Sequence, residues 1–181
     1  MRTGAINAAS CTMLLLAAFS AGCARGIIAA GDAKLPDDDG SPGFLDRIAS
    51  QQSVCENDAM RGILMLLDGK DAAADFKDRV QRLRARNIIG ADWDFDANRP
   101  VTRGRLAIMI HKAAGTPGGI ILTLAGPSER YCLREMQYRG FIGPGAFYSP
   151  VTGSEYVAVI SRADAYRRTG QLPQVMTASS N

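Results

Sequence analysis

An internal repeat with a period of about 50 residues constrains the fold of this chain more than any other feature. Segment 101–110 (VTRGRLAIMI) is echoed by segment 151–160 (VTGSEYVAVI), and a fainter copy begins at Val54. A unit of this length cannot bury its apolar face alone. The repeat therefore predicts two or three units packed around a common core.

Each unit is predicted to contain two helices joined by a loop. In the middle unit, Val80 and Leu83 share one helical face, and residues 87–90 (NIIG) are suited to end that helix. Thr102 and Thr152 are placed to cap the second helices of two units. Apolar stripes follow on the second helices, at Met60, Ile63, Leu64 and Leu67, at Leu106, Met109, Ile110 and Ala113, and at Tyr156, Val159, Ile160 and Ala163. We predict an all-α fold, a compact bundle of two to three helix-loop-helix repeats with short extended connectors.

Residues 1–22 are predicted to be a secretory signal peptide. Arg2 is followed by an apolar core at residues 13–19 and then by small residues up to Gly22, which is the three-part plan of such signals. A membrane-spanning helix needs about 20 predominantly apolar residues, whereas Asn7 and other polar residues interrupt this run. We therefore expect an exported protein whose signal is cleaved.

The end of this signal, residues 21–23 (AGC), resembles the lipobox of bacterial lipoproteins. The resemblance implies that Cys23 is lipidated and becomes the first residue of the mature protein. Two or more acyl chains give stable membrane attachment. The protein is then expected in the bacterial cell envelope, lipid-anchored in a membrane and facing the periplasm or the exterior. Cleavage near the same residues without lipid is the alternative.

The remaining chain is predicted to have three parts. Residues 23–52 are expected to be a lipidated N-terminus and flexible tether, because the stretch around residues 36–43 is charged and rich in turn formers. Residues 53–170 form the helical repeat domain, and the polar residues 171–181 form a disordered tail. The net charge of +3 is too small to indicate a nucleic-acid partner.

Two cysteines remain once Cys11 leaves with the signal and Cys23 carries lipid. In an oxidising envelope compartment, Cys55 and Cys132 are predicted to form a disulfide, with two free buried cysteines as the alternative.

The sequence gives no indication of an enzyme or a cofactor. His111 is the only histidine, so a Ser-His-Asp or Cys-His arrangement would have to use it. Residues 92–98 alternate Asp, Asp, Asp and Asn as a calcium loop does, but Ala97 and Arg103 stand where such a loop needs Gly and Glu. We therefore predict no metal site and a solvated loop around a buried Trp93, with a calcium loop as the alternative.

Residues 100–107 (PVTRGRLA), with residues 76–90 as a preceding helix, resemble the S-layer homology (SLH) domain. The resemblance extends over about residues 44–168 and implies three copies in a pseudo-threefold bundle. SLH domains bind cell-wall polysaccharide, often pyruvylated, in grooves between repeats, with the motif Arg as a main contact. Arg103 matches that Arg, and we expect Thr102 and Trp93 to be ligand-binding as well. In the other units Glu56 and Gly153 occupy the place of Arg103.

The leading hypothesis is a cell-envelope lipoprotein whose non-catalytic SLH-like domain binds cell-wall polysaccharide or an envelope partner protein. The alternative is a structural or accessory subunit of an envelope assembly without glycan binding, with only the helical scaffold retained. Its interface would be the basic helix at residues 79–86 or the region of Tyr138, Phe147 and Tyr148.

Overall fold

The computed structural model describes residues 42–119, 122, 124 and 126–172. These belong to the second of two compact regions of the chain, Lys34–Asn181. Over these residues the chain forms six helices with described bounds, Leu122 and Leu124 are also helical, and the only β structure is two isolated antiparallel bridges. The helices are α1 (Pro42–Ala49), α2 (Glu56–Asp68), α3 (Phe76–Ala85), α4 (Arg103–Ala114), α5 (Glu129–Tyr138) and α6 (Gly153–Thr169). The predicted all-α class is confirmed.

Several predicted features lie outside the described residues, namely the signal peptide, the lipidation site Cys23 and the tail beyond Leu172. Among the helices that are described, none is long and apolar enough to cross a membrane.

A closed ring of three backbone hydrogen bonds lies where the three repeat copies begin. The N–H of Val54 donates to the carbonyl of Val151 (2.9 Å), that of Val101 to Val54 (2.9 Å), and that of Val151 to Val101 (3.1 Å). All three valines are buried. The three positions aligned by the sequence repeat are therefore equivalent in space.

The helices pack cyclically around this ring. α2, α4 and α6 contact one another, while α3 packs on α2, α5 on α4, and α1 on α6. We call the pairs α1–α2, α3–α4 and α5–α6 units 1, 2 and 3. The first helix of each unit thus covers the second helix of the neighbouring unit, and α1 closes the cycle.

The second helices begin and end in the same way. The side chains of Cys55, Thr102 and Thr152 cap the N-termini of α2, α4 and α6 by accepting hydrogen bonds from backbone N–H groups three residues later. The predicted threonine caps are confirmed. Each helix then ends at a glycine in the left-handed conformation, Gly69, Gly115 or Gly170.

Equivalent positions of the three units carry side chains of different size in the core. Aligned on the valine ring, Ala59 corresponds to Leu106 and to Tyr156, which is fully buried and donates its hydroxyl hydrogen to the carbonyl of Ala59 (2.7 Å). A Cβ at Gly62 would overlap that hydroxyl, so a small residue in unit 1 makes room for a large one in unit 3.

The apolar stripe of unit 1 differs in part from the prediction. Met60, Ile63 and Leu64 are buried as predicted, whereas Leu67 is only partly buried. Ala59, which corresponds to Leu106 in the valine alignment, is buried as well and was not part of the predicted stripe.

The predicted flexible tether of residues 23–52 is wrong over its last part. Residues 42–49 form α1, whose Phe44 and Ile48 are buried in the core. The sequence pattern predicts no helix here because α1 is only two turns long and opens with Pro and Gly. The segment is helical because it packs on α6. In the same way, α3 packs on α2 and α5 packs on α4.

The connector after α4 differs from the predicted short extended connectors. Its described residues Leu122 and Leu124 are helical instead, with Leu122 buried and Leu124 exposed.

Replacement of Ile48 tests whether α1 belongs to the fold. Ile48→Ala should lower the free energy of unfolding by about 2–5 kcal/mol, because it removes a fully buried side chain from a packed core. The measurement is urea unfolding of the protein. Asp46→Ala, an exposed position of the same helix, should change stability by less than about 0.5 kcal/mol. Equal effects of the two substitutions would contradict a structural role for α1.

Candidate functional site

A buried carboxylate lies at the joint between units 1 and 2. Glu56, the first residue of α2, is 2% exposed and accepts a hydrogen bond from Arg99 Nε (3.0 Å). Arg105 of α4 forms an ion pair with the same oxygen, and the backbone N–H of Asp96 donates to the other one (3.0 Å). Two guanidinium groups and a backbone donor therefore satisfy this buried charge.

Trp93 packs beside this cluster. The guanidinium of Arg105 lies 5.3 Å from the centroid of the Trp93 ring, and the ring is tilted against Phe95. The side chain of Trp93 is only partly buried. Cation–π contact of this kind holds the planar guanidinium over the ring.

The acidic loop at residues 92–98 is tied to the protein. The carboxylate of Asp94 pairs with Arg99 (3.0 Å), and that of Asp96 accepts from the backbone N–H of Asn98 (2.9 Å). Over the described ranges, no group of three or more His, Cys, Asp or Glu residues is placed to hold a metal ion.

Arg103 lies at the joint between units 2 and 3. Its guanidinium pairs with Glu155 of α6 (2.9 Å) and donates to the carbonyls of Gly143 (3.1 Å) and Pro144 (2.6 Å). The side chains of Arg103 and Glu155 are 18% and 15% exposed. Burial raises the pKa of Glu155, and Arg103 opposes that rise. This arginine clamps a loop to two helices.

The contacts between neighbouring units, which we call joints, use two equivalent positions of the repeat, two and four residues after the valine of each unit. The charges at these positions are opposite in the two joints described above. Glu56 and Arg103 are equivalent in the repeat, and so are Arg105 and Glu155. Between units 1 and 2 the acid comes from the first position and the base from the second. Between units 2 and 3 the order is reversed. Glu56 and Arg105 therefore form one joint pair, and Arg103 and Glu155 form the other with the charges exchanged.

The third joint, between units 3 and 1, has no space for a side chain at this position. A Cβ at Gly153 would overlap the carbonyl oxygen of Ile48. The Gly153 N–H donates to the carbonyl of Gln51 (3.0 Å), and the side-chain amide of Gln51 donates to Asp58 (3.3 Å). Close backbone approach from the end of α1 thus requires glycine here.

The structure does not gather the three expected ligand-binding residues into one site. Arg103 is engaged with Glu155 and the 143–144 carbonyls, Thr102 caps α4, and Trp93 lies under Arg105. The roles of Glu56 and Arg99 were not predicted. The only sequence signal for Glu56 was its alignment with Arg103 in the repeat, and Arg99 had none.

Two open grooves flank α5. The first, of about 240 Å³, contains Thr102 and Tyr148, and its charged residues are two acids and two bases, Glu56, Glu129, Arg99 and Arg105. The second, of about 310 Å³, is bounded by Arg130, Leu133, Arg134 and Gln137 of α5 and by Gly145, Ala146 and Phe147 of the following loop. Its lining contains two bases and no acid.

The arginines of residues 79–86 are occupied within the chain. Arg79 bonds to Asp71 (2.6 Å) and Asn57 (2.9 Å). The other three bind Asp78, the carbonyl of Trp93 and Asp68, in the order Arg82, Arg84 and Arg86. This helix face therefore stabilises the fold around α3.

The predicted disulfide between Cys55 and Cys132 is not formed, and both are free thiols. The sulfur of Cys55 caps α2, where Thr102 and Thr152 stand in the other units. Cys132 is fully buried on α5, and burial raises its pKa to about 11. The pair was predicted by elimination among the cysteines, which carries no information about distance.

His111 lies half-buried at the end of α4. Its Nδ1 is 2.6 Å from the hydroxyl of the buried Thr116, and burial lowers the pKa of the imidazole. This contact ties the end of the helix to the chain that follows.

No protein-family model, curated protein or solved structure matches this chain. The geometry itself defines an all-α domain in which three helix pairs surround a ring of backbone hydrogen bonds.

A double-mutant cycle on Arg103 and Glu155 tests the joint between units 2 and 3. We expect a coupling energy of about 1–3 kcal/mol between Arg103→Ala and Glu155→Ala, because the charged hydrogen bond is largely buried. Unfolding of the two single variants and the double variant gives this value. The same cycle on the exposed pair Asp78–Arg82 should show little coupling. If both cycles gave the same result, Arg103 would not be a clamp.

Proposed function

We propose that the chain is a bacterial cell-envelope lipoprotein whose non-catalytic, SLH-like domain binds a cell-wall polysaccharide. The observation that carries this proposal is the cyclic order of the helix pairs around Val54, Val101 and Val151. A pseudo-threefold bundle of this kind is what the resemblance of residues 100–107 to the SLH motif implies. The signal-like N-terminus and Cys23 support export and lipid anchoring.

Binding is proposed at the two grooves beside α5, the first of which lies between units and the second within unit 3. Both grooves are open to solvent and combine arginines with an exposed aromatic residue, Tyr148 in the first and Phe147 in the second. Aromatic rings present apolar faces with polar edges, and arginines recognise carboxylate and phosphate groups. These are the groups through which a substituted polysaccharide is held.

In this proposal Arg103 acts on binding indirectly. Its guanidinium is committed to Glu155 and to the carbonyls of Gly143 and Pro144, at the start of the loop that forms one wall of the second groove. Arg103 is thus a positioning residue for this wall.

A second candidate function is an accessory subunit of an envelope assembly. Four exposed aromatic side chains favour it, namely Tyr131, Tyr138, Phe147 and Tyr148, of which Tyr138 is 89% exposed. Exposed aromatic residues are enriched where proteins bind one another. Co-purification of a protein partner without wall polymer would support this second candidate.

The intact mass of the membrane-extracted protein tests the anchor. We expect a chain that begins at Cys23 and carries acyl groups, with Cys55 and Cys132 both available to an alkylating reagent after unfolding without reductant. Cys23→Ala should be found in the soluble fraction, because its anchor is lost. An unlipidated chain that begins at another residue would contradict the proposed anchor. Failure of Cys55 and Cys132 to react with the reagent would contradict the free thiols.

Binding of purified wall polymer tests the proposed function. Calorimetry with the whole mature protein in detergent should show saturable binding, and Arg103→Ala should weaken it because the 143–147 loop loses its clamp. Asp46→Ala is the control, since Asp46 is an exposed residue of α1. The absence of binding at millimolar polymer would overturn the polysaccharide proposal.

A further inference from the structure

The arginines at positions 130 and 134 of α5 differ from three other arginines on the described helices. Those three have an acid one helical turn before them, in the pairs Asp78–Arg82, Glu135–Arg139 and Asp164–Arg168. One turn before Arg134 lies Arg130 instead. Both are exposed, and neither makes an ion pair or hydrogen bond within the part of the chain that the structure describes.

Two like charges one turn apart on a helix repel each other. Their Cβ atoms are about 5–6 Å apart in this arrangement, so a single anionic group can contact both guanidinium groups. Such a pair lowers the stability of α5 in isolation. A bound anion removes this repulsion.

The opposite wall of the groove is held in place without any ligand. The side-chain amide of Gln137 donates to the carbonyls of Gly143 and Gly145, both at 3.1 Å. The backbone N–H of Gly104 donates to the carbonyl of Phe147 (2.8 Å). A ligand that enters this groove therefore does not have to order the loop, which favours binding.

The floor and rim add apolar surface. Leu133 is buried beneath the groove, and Phe147 is 39% exposed at its edge, with its ring against Tyr148 at 5.4 Å. The volume of about 310 Å³ is at the lower end of the range for small-molecule sites, about 300–1,000 Å³. The groove can hold a short segment of a polymer.

Charge distinguishes the two grooves beside α5. In the first, Glu56 and Glu129 offset Arg99 and Arg105, and Arg105 is already paired. The second has two cations, neither of which is paired with an acid among the described residues, and no acid in its lining. An anionic ligand is therefore attracted to the second groove.

We infer that the groove between α5 and the 143–147 loop binds a carboxylate or phosphate substituent of a polysaccharide. Arg130 and Arg134 hold the anion, and the face of Phe147 contacts the adjoining sugar. Arginine suits this role because its planar fork donates two parallel hydrogen bonds to a carboxylate or a phosphate. The inference rests on the proposed function and places its ligand away from the motif residue Arg103.

The test compares binding by the whole mature protein and by its double variant Arg130→Gln/Arg134→Gln. The probes are purified wall polymer, a carboxylated polymer (polygalacturonate), a glycerol phosphate polymer, neutral dextran, and vesicles containing anionic lipid. We expect the double variant to bind wall polymer and one of the two anionic polymers at least about tenfold more weakly than the wild type, and dextran to bind to neither. The preferred polymer identifies the substituent.

A matched control removes the same charge elsewhere. Arg82→Gln/Arg168→Gln lowers the net charge equally at two exposed arginines that have acidic partners on their own helices. It should leave binding within about twofold of the wild type. Arg130→Lys/Arg134→Lys keeps the charge but loses the fork, so binding should fall to an intermediate level. Urea unfolding should show the Gln variant to be at least as stable as the wild type.

The outcomes separate this inference from the proposed function. If the wild type binds wall polymer and the Gln variant matches the control variant, the groove is not the site, although the proposed function stands. If the wild type binds no polymer at all, both fail. Binding to anionic vesicles alone would replace the polysaccharide by a membrane surface and overturn the inference.

Discussion

The three hydrogen bonds that link Val54, Val101 and Val151 are the constraint on which the rest of the domain depends. A buried peptide group without a partner costs about 1–3 kcal/mol, so each unit needs both neighbours to satisfy the backbone N–H and carbonyl of its valine. The ring also brings the N-termini of α2, α4 and α6 together, with their partial positive charges. Acids in the first turns of α2 and α6 suit these ends. α4 instead opens with Arg103 and Arg105, which the acids of its two neighbours compensate.

The ion pairs at the joints also distinguish the units from one another. Unit 2 presents arginine at both joint positions, whereas unit 1 presents Glu56 and Asp58. If units 1 and 3 exchanged places around unit 2, Arg105 would face Gly153 and Glu56 would lose Arg105. A buried carboxylate left without that partner is strongly destabilising. The polarity of the joints therefore favours one direction of closure around the ring, beyond what hydrophobic packing alone can specify.

The sequence predicted the features that repeat and failed where one unit departs from the others. The alignment of Val54, Val101 and Val151 and the caps at Thr102 and Thr152 follow from local pattern, since caps and apolar periodicity act over a few residues. α1 was not predicted because eight residues opening with Pro and Gly have little helical signal of their own, and packing on α6 stabilises them. The partner of Arg103 could not be predicted either. It depends on a contact with Glu155 across a joint, which no local pattern encodes.

A closed cycle has no intrinsic first member. Because α1 covers α6 in the way that α3 covers α2 and α5 covers α4, the covalent break between the last unit and the first is topologically equivalent to the loops that join the other units. The fold is thus defined by the circular order of its helix pairs. A circular permutant that is opened between α2 and α3, with a linker from α6 to α1, preserves every joint and the valine ring, and its first and last helices are then α3 and α2.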